Sequence, residues 1–270
     1  MKQTKPYSAI ILAADRDPED PVAQSAAVSC KALTQVLGRE MVLRVLDALA
    51  EADQIDKRLL SGPPVVAVEQ NPELSVLVSS GRVKWFAPED TPSTSALNVL
   101  QSLPEDIPVL VTTADHALLT AEMIDHFCSE ARTSGCDVLA GVAEYELIAE
   151  AVPGTRRTVT QLKDGGYCGC NLFAFMTPQS RKAADFWRKV EKERKKPLRI
   201  IKVMGWLAVI RYLLGRLSLE QALAGLSQRM GLRVGVVRMP FAEAAIDVDK
   251  VEDLLLVESI LTERQKKAPF

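Results

Sequence analysis

Histidine is nearly missing from this 270-residue sequence: only His116 and His126 occur. Two histidines cannot build a multi-histidine zinc centre, and His126 falls within a helical pattern, which argues against a Ser-His-Asp triad. Neither G-x-x-x-x-G-K-[ST] nor G-x-G-x-x-G occurs, so a Walker-type kinase and a standard dinucleotide oxidoreductase both lack their phosphate cradle. The five cysteines have no C-x-x-C spacing, which predicts reduced thiols; Cys168-Gly-Cys170 reads as a strand edge rather than a metal pair. Charge of one sign is not in excess, with Lys+Arg 33 against Asp+Glu 35, so no nucleic-acid partner is expected from bulk electrostatics. The apolar run in MKQTKPYSAIILAAD is too short for a signal segment and is followed at once by charges, which places the chain in the cytoplasm.

A hydrophobic content of 47% is enough for a large core, and its arrangement has a clear period. Short apolar, β-rich runs cover Ser8–Ala14, Pro64–Glu69, Val83–Ala87, Pro108–Asp115 and Asp137–Ala143. Amphipathic helical spacing covers Arg39–Ala52 and Ala121–Arg132, and STSALNVLQSL opens with hydroxyl residues suited to an N-cap. Strands alternating with helices predict an α/β fold, a mostly parallel sheet flanked by helices. Its ligands gather beyond the carboxyl ends of the strands, here after Ala14, Ala87 and Ala114. The second half differs. RTVTQLKDGGYCGCNLFAF reads as a glycine-broken strand pair, three helical segments follow between Gln179 and Met230, and RVGVVRM is a late strand before an acidic stretch and a terminal helix. The chain thus reads as one domain, 1–270, with a helical insertion at about 179–230.

SAIILAADRDPEDPVAQSAAVSCKAL begins as a buried strand and ends in a polar loop with a lone lysine, Lys31. A loop leaving the first strand of a parallel sheet faces the ligand crevice, where its backbone N–H groups can hold phosphate oxygens. Together ILAADR, CKAL and VLGREMVLRVLDAL, then TTADHALLT and IDVDKVEDL, resemble the MobA-like NTP transferases in residues and in order. The resemblance covers the chain to about Ala143 and its C-terminal end. It implies a Rossmann-like sheet of nucleotide-diphospho-sugar transferase type. It also implies a nucleotidyltransferase that joins NMP from an NTP to a small phosphorylated acceptor, with Mg²⁺, and releases pyrophosphate; among the nucleotides we lean towards CTP.

By the same resemblance, Leu12, Ala13, Ala14 and Asp15 line the nucleotide, Arg16 and Lys31 neutralise phosphate charge, and Asp115 and Asp249 hold the metal, with Asp247 two residues away. Attack on an α-phosphoryl group develops charge on phosphate oxygens, which a carboxylate-held Mg²⁺, lysine and arginine stabilise. The family normally has glycine where this sequence has Asp15. That substitution keeps open an alternative, a non-catalytic nucleotide-binding or regulatory protein on the same fold.

Each candidate also has a plain structural reading. Asp115 would cap a turn, Lys31 would be a solvated loop charge, and Asp247 and Asp249 would sit at a strand edge or in a first helical turn. Ser93 and Ser95, with Thr94, are helix caps or nucleotide ligands. Asn171, with Gly169, either satisfies a strand end or binds acceptor hydroxyls. The basic-then-apolar stretch over 192–217 is a packed helix with a solvated start or a peripheral membrane contact. Within it, Arg194, Lys195, Lys196 and Arg199 would attract a phosphorylated acceptor or an anionic surface.

Overall fold

Seven strands, β1 (Tyr7–Leu12), β4 (Ile55–Ser61), β5 (Lys84–Phe86), β6 (Val109–Thr113), β7 (Val138–Glu144), β9 (Gly165–Phe175) and β10 (Val234–Arg238), stand side by side in the order β10-β7-β9-β6-β1-β4-β5. The structure is a computed structural model that describes residues 5–15, 19–193 and 205–267. β1 pairs parallel with β4 and β6, β4 with β5, and β7 with β10. β9 runs antiparallel between β6 and β7, and β8 (Thr160–Leu162) folds onto it as the expected glycine-broken pair. The sheet is therefore mixed but mostly parallel.

Both faces of this sheet are covered, which explains why its strands are apolar at consecutive positions. In β1, Tyr7, Ala9 and Ile11 enter one core layer beneath α2 (Met41–Glu51) and α6 (Ala121–Thr133), while Ile10 enters the other. That second layer, with Val109, Val111 and Phe175, lies beneath α5 (Pro92–Gln101) and α8 (Arg181–Glu193). Ile10 and Ile11 are fully buried, and burying each contributes about 1.5–3 kcal/mol.

Three local expectations are corrected. Pro64–Glu69 is not a strand; Val65–Gln70 is a short helix, α3, that leaves Val65 and Val66 exposed. The strand at that place in the sheet is β4, whose polar first half, Asp56-Lys57-Arg58, hid it, since only Leu59–Ser61 is buried and flanked on both sides. The helix expected from Arg39 begins at Met41, because Arg39–Glu40 (β3) pairs with Gln35–Val36 (β2) across a turn in which Leu37 and Gly38 both have positive φ. In α5 the N-cap is Thr91, ahead of the serines; its hydroxyl accepts from Thr94 N–H in a capping box.

The three helices expected between Gln179 and Met230 are α8, α9 (Trp206–Leu213) and α10 (Leu219–Met230). On α9 and just beyond it, Trp206, Leu207, Ile210, Leu213 and Leu214 are exposed. Arg194, Lys195, Lys196 and Arg199 lie outside the described residues. Among the described residues no helix is long and apolar enough to cross a membrane. The terminal helix, α11 (Val251–Lys267), packs Val257 and Leu261 with Val22, Val36 and Leu118, drawing the preceding acidic stretch to the carboxyl end of the sheet.

Candidate active site

Lys31 ends the loop that leaves β1, in a 3₁₀ turn, Lys31–Leu33, that returns the chain to the carboxyl end of the sheet. Its Nζ donates to Asp115 Oδ2 at 2.6 Å, to the Val248 carbonyl at 3.0 Å and to Asp249 Oδ1 at 3.5 Å. Burial alone pulls this ammonium towards neutrality, but Asp115, and behind it Asp249, outweigh burial and raise its pKa. The lysine is thus a fixed cation at neutral pH.

Asp115 follows β6, and Thr113 Oγ1 donates to its Oδ1 at 2.5 Å. The Val248 N–H donates to the Asp115 carbonyl at 3.1 Å, so the late acidic stretch is laid along the end of β6. Asp249 is open to solvent on one side. These residues share a pocket of about 330 Å³ with Leu12, Ala13, Ala14, Asp15, Asp20, Asn171 and Asp247. Close approach of the β1 exit to β4 depends on Gly62, with φ 78°, since a Cβ there would stand 3.0 Å from Ala14 N.

Asp15, read from the sequence as standing in for a glycine, turns its carboxylate towards Lys31. Both oxygens accept the backbone N–H of Lys31, at 3.0 and 2.9 Å, and the Cys30 thiol donates to Oδ1 at 3.5 Å. Burial raises the Asp15 pKa, and the Lys31 N–H opposes that rise. Arg16 lies outside the described residues.

Asp247, expected as a metal ligand, lines the same pocket as Asp115 and Asp249, and both of its oxygens have partners. Its Oδ1 accepts from Arg157 at 3.1 Å and its Oδ2 from Asn171 Nδ2 at 2.7 Å. Burial, then the neighbouring Asp115 and Asp249, raise its pKa to about 6. Arg157, almost wholly buried, also grips Asp253 at 2.9 Å, and Asp253 Oδ2 accepts the N–H groups of Asp249 and Lys250. Arg157 and Asp253 therefore hold the acidic stretch in place. Among the described residues no three His, Cys, Asp or Glu side chains form a metal cage. The donors that face the pocket are still the hard carboxylate oxygens that suit Mg²⁺, an ion commonly held by one or two carboxylates together with substrate phosphates. Asp115 and Asp249 meet that pattern.

Asn171 joins the pocket and Gly169 does not. The register between β7 and β9 shifts between Ala140 and Val142, and Asn171 there has φ 49°. Gly169 is exposed, paired with Val142. Ser93 is also withdrawn: it is buried, its hydroxyl donates to Glu191 of α8, and its N–H donates to the same carboxylate at 3.2 Å. Ser95 lies beside the site, in a slot with Ser61, Glu89, Asp90 and Thr91, and its hydroxyl accepts Glu89 N–H.

Sequence reasoning missed Arg157, Asp253, Thr113, Asp20 and Ser61. Asp253 had a signal in VEDL, and Thr113 in its place two residues before Asp115. Arg157 had none, since nothing in GTRRTVT distinguishes it from Arg156.

No curated protein matches the chain. A hypothetical transferase structure from Thermus thermophilus superposes with a TM-score of 0.78 at 28% identity, covering 92% of this chain and 99% of that one. The 4-diphosphocytidyl-2C-methyl-D-erythritol synthase of Anaerococcus prevotii shares the fold at 16% identity and a TM-score of 0.57, covering 96% of both chains. A CMP:2-keto-3-deoxy-manno-octonic acid synthetase solved with CTP shares it at 11% identity and a TM-score of 0.57, covering 96% of this chain and 99% of that one. The model of the MobA-like NTP transferase domain matches residues 9–234, a span that runs through the helices between Gln179 and Met230 and stops short of Asp247 and Asp249. With that match over most of its length, the chain belongs to the MobA-like NTP transferase family and is a nucleotidyltransferase.

Proposed function

We propose that the protein transfers a nucleoside monophosphate from CTP to a small phosphorylated acceptor in a Mg²⁺-dependent reaction. The single observation that carries this reading is Lys31 Nζ, 2.6 Å from Asp115 and 3.5 Å from Asp249, at the mouth of the β1 loop. An acceptor phosphate oxygen attacks the α-phosphorus, the bond from the α-phosphorus to the bridging oxygen breaks, and pyrophosphate leaves with the electron pair. Lys31 meets the charge that grows on the phosphate oxygens, and its fixed position means little reorganisation as the reaction proceeds. Asp115 and Asp249 would hold Mg²⁺, which supplies Lewis-acid neutralisation of the triphosphate. Asp247, tied by Arg157, orients the Asn171 amide towards the acceptor side.

The nucleobase lies over the β4 side of β1, above a small recess of about 20 Å³ lined by Ser61, Thr91 and Ser95. Ser61 Oγ is buried and has no hydrogen-bond partner among the described residues, and a base edge would supply one. The leaning towards CTP is supported by the CTP-bound synthetase of the same fold. Residues 1–270 are read as one nucleotidyltransferase domain, with the helices over 179–230 walling the acceptor side. A cytoplasmic site of action accords with five free thiols, four of them buried. Peripheral membrane contact through 192–217 belongs to the same proposal; in its described part, the exposed apolar side chains of α9 lie beside exposed Arg211 and Arg216.

The test is pyrophosphate release from purified protein with Mg²⁺, each NTP in turn and a pool of sugar and polyol phosphates. Release that is largest with CTP supports the proposal. Silence with every NTP rejects it.

A further inference from the structure

Beside the charged pocket lies a second cavity of opposite character. It has a volume of about 450 Å³, within the range of small-molecule sites, and is walled by Val111, Phe173, Phe186, Trp187, Leu226 and Met230. It sits between the sheet and helices α8 and α10. Leu12, Pro92, Thr113 and Asn171 line this cavity and the charged pocket alike, so the two are immediate neighbours. Phe173 and Trp187 stack with ring centroids 6.1 Å apart, and neither they nor Phe186 are fully buried. Three aromatic side chains thus leave apolar surface facing a cavity that adjoins the charged pocket.

The nucleobase does not suit this space. A base needs hydrogen-bond partners along its edge, and the polar side chains of the wall are Thr112, Thr113 and Asn171. Thr113 donates to Asp115 and Asn171 to Asp247, and Thr112 Oγ1 is left without a partner among the described residues, so one hydroxyl in a mainly apolar wall is too little for a base edge. The slot that offers the unpartnered Ser61 hydroxyl is on the β4 side of β1, whereas the apolar cavity is on the β6, β9 and β7 side. With the nucleotide on one side of β1, the other side is left to the acceptor.

We infer that the acceptor is an amphiphile: an anionic, phosphorylated head that reaches Lys31 and Asn171, carried on an apolar chain or ring system that fills the cavity under α8 and α10. This rests on the proposed nucleotidyl transfer for the role of the head, and on the cavity for the tail. Such a molecule is a soluble alkyl or isoprenoid-like phosphate, or a lipid whose headgroup is the substrate. The chemistry recognised is the same.

Calorimetry with octyl phosphate, below its micelle concentration, and with inorganic phosphate reads the tail directly. Octyl phosphate should bind wild-type protein tighter than inorganic phosphate by about tenfold or more, because the chain leaves water for an apolar wall. Ala140→Leu, which fills the cavity from β7, and Leu226→Gln, which makes its α10 wall polar, should each shrink that advantage severalfold. CTP binding by each variant serves as its folding control. Equal binding of the two phosphates overturns the inference, as does an advantage that survives both substitutions in protein that still binds CTP. Pyrophosphate release is scored separately. Its absence with every acceptor rejects nucleotidyl transfer and leaves the tail measurement standing. Release from CTP with dissolved octyl phosphate identifies a soluble acceptor, and release only with phosphatidylcholine vesicles containing phosphatidic acid identifies a lipid headgroup; both support the inference.

Discussion

The carboxylate of Asp15 accepts the backbone N–H of Lys31 through both of its oxygens, at 3.0 and 2.9 Å. A carboxylate thus occupies a backbone donor at the edge of the charged pocket. Asp15→Asn keeps an acceptor for that N–H while removing a negative charge. CTP should then bind about three- to tenfold more tightly, as expected for relief of one partly screened like charge. Calorimetry checks this; weaker binding would mean that Asp15 meets a cation delivered with the nucleotide.

The contact between Lys31 and Asp115 separates chemistry from scaffold. Asp115→Asn retains an oxygen for the Thr113 hydroxyl and should cost roughly 10²–10³ in kcat with CTP, the usual loss when one preorganised electrostatic group is removed. Lys31→Ala should lower kcat by a similar factor and weaken CTP binding as well. Both variants should keep the far-UV spectrum of the wild type. Loss of fold with unchanged activity per folded molecule would reduce Asp115 to a structural cap.

Asn171 provides a test confined to the acceptor. Asn171→Gly preserves the left-handed backbone at φ 49° and deletes the amide that Asp247 accepts. The acceptor KM should rise about tenfold, the order expected for loss of one hydrogen bond to a charged group, while the Kd for CTP stays put. Parallel losses in both constants would place Asn171 on the nucleotide side instead.

His116, next to Asp115 in sequence, is fully buried, and burial lowers its pKa from 6.5 to about 4, against smaller opposing effects of Asp115 and of the Ala244 backbone. Unfolded chain therefore binds a proton below pH 6.5 that the folded chain refuses until about pH 4. Stability from the neutral ring is complete above pH 6.5 and falls through that window. Urea unfolding at pH 7 and pH 5 should show wild type losing about 2 kcal/mol more than His116→Leu. Equal losses would mean that His116 is charged or solvated in the folded protein.

By itself the sequence determined the layered plan and half of the pocket. Strands such as SAIIL are apolar at consecutive positions because both faces of the sheet are covered, a property that depends only on local composition and is visible without coordinates. Lys31 and Asp115 were likewise legible, since each follows a strand end where such sheets collect ligands. What tertiary structure alone decided are the partnerships between distant residues. A lone Asp247 in sequence gives a charge but no neighbour; its hydrogen bonds to Arg157 and Asn171, 90 and 76 residues away, exist only in the folded chain. Asn171 and Gly169 are two residues apart and should share a face, yet the register shift in β9 sends only Asn171 into the pocket. Asp15 could only be read as a missing glycine until the chain folded back and presented Lys31 N–H to it. The apolar cavity is the furthest from sequence: its walls come mainly from β6, β7, β9, α8 and α10, and the apolar side chains there have the same hydrophobic signature as residues packed solidly in the core.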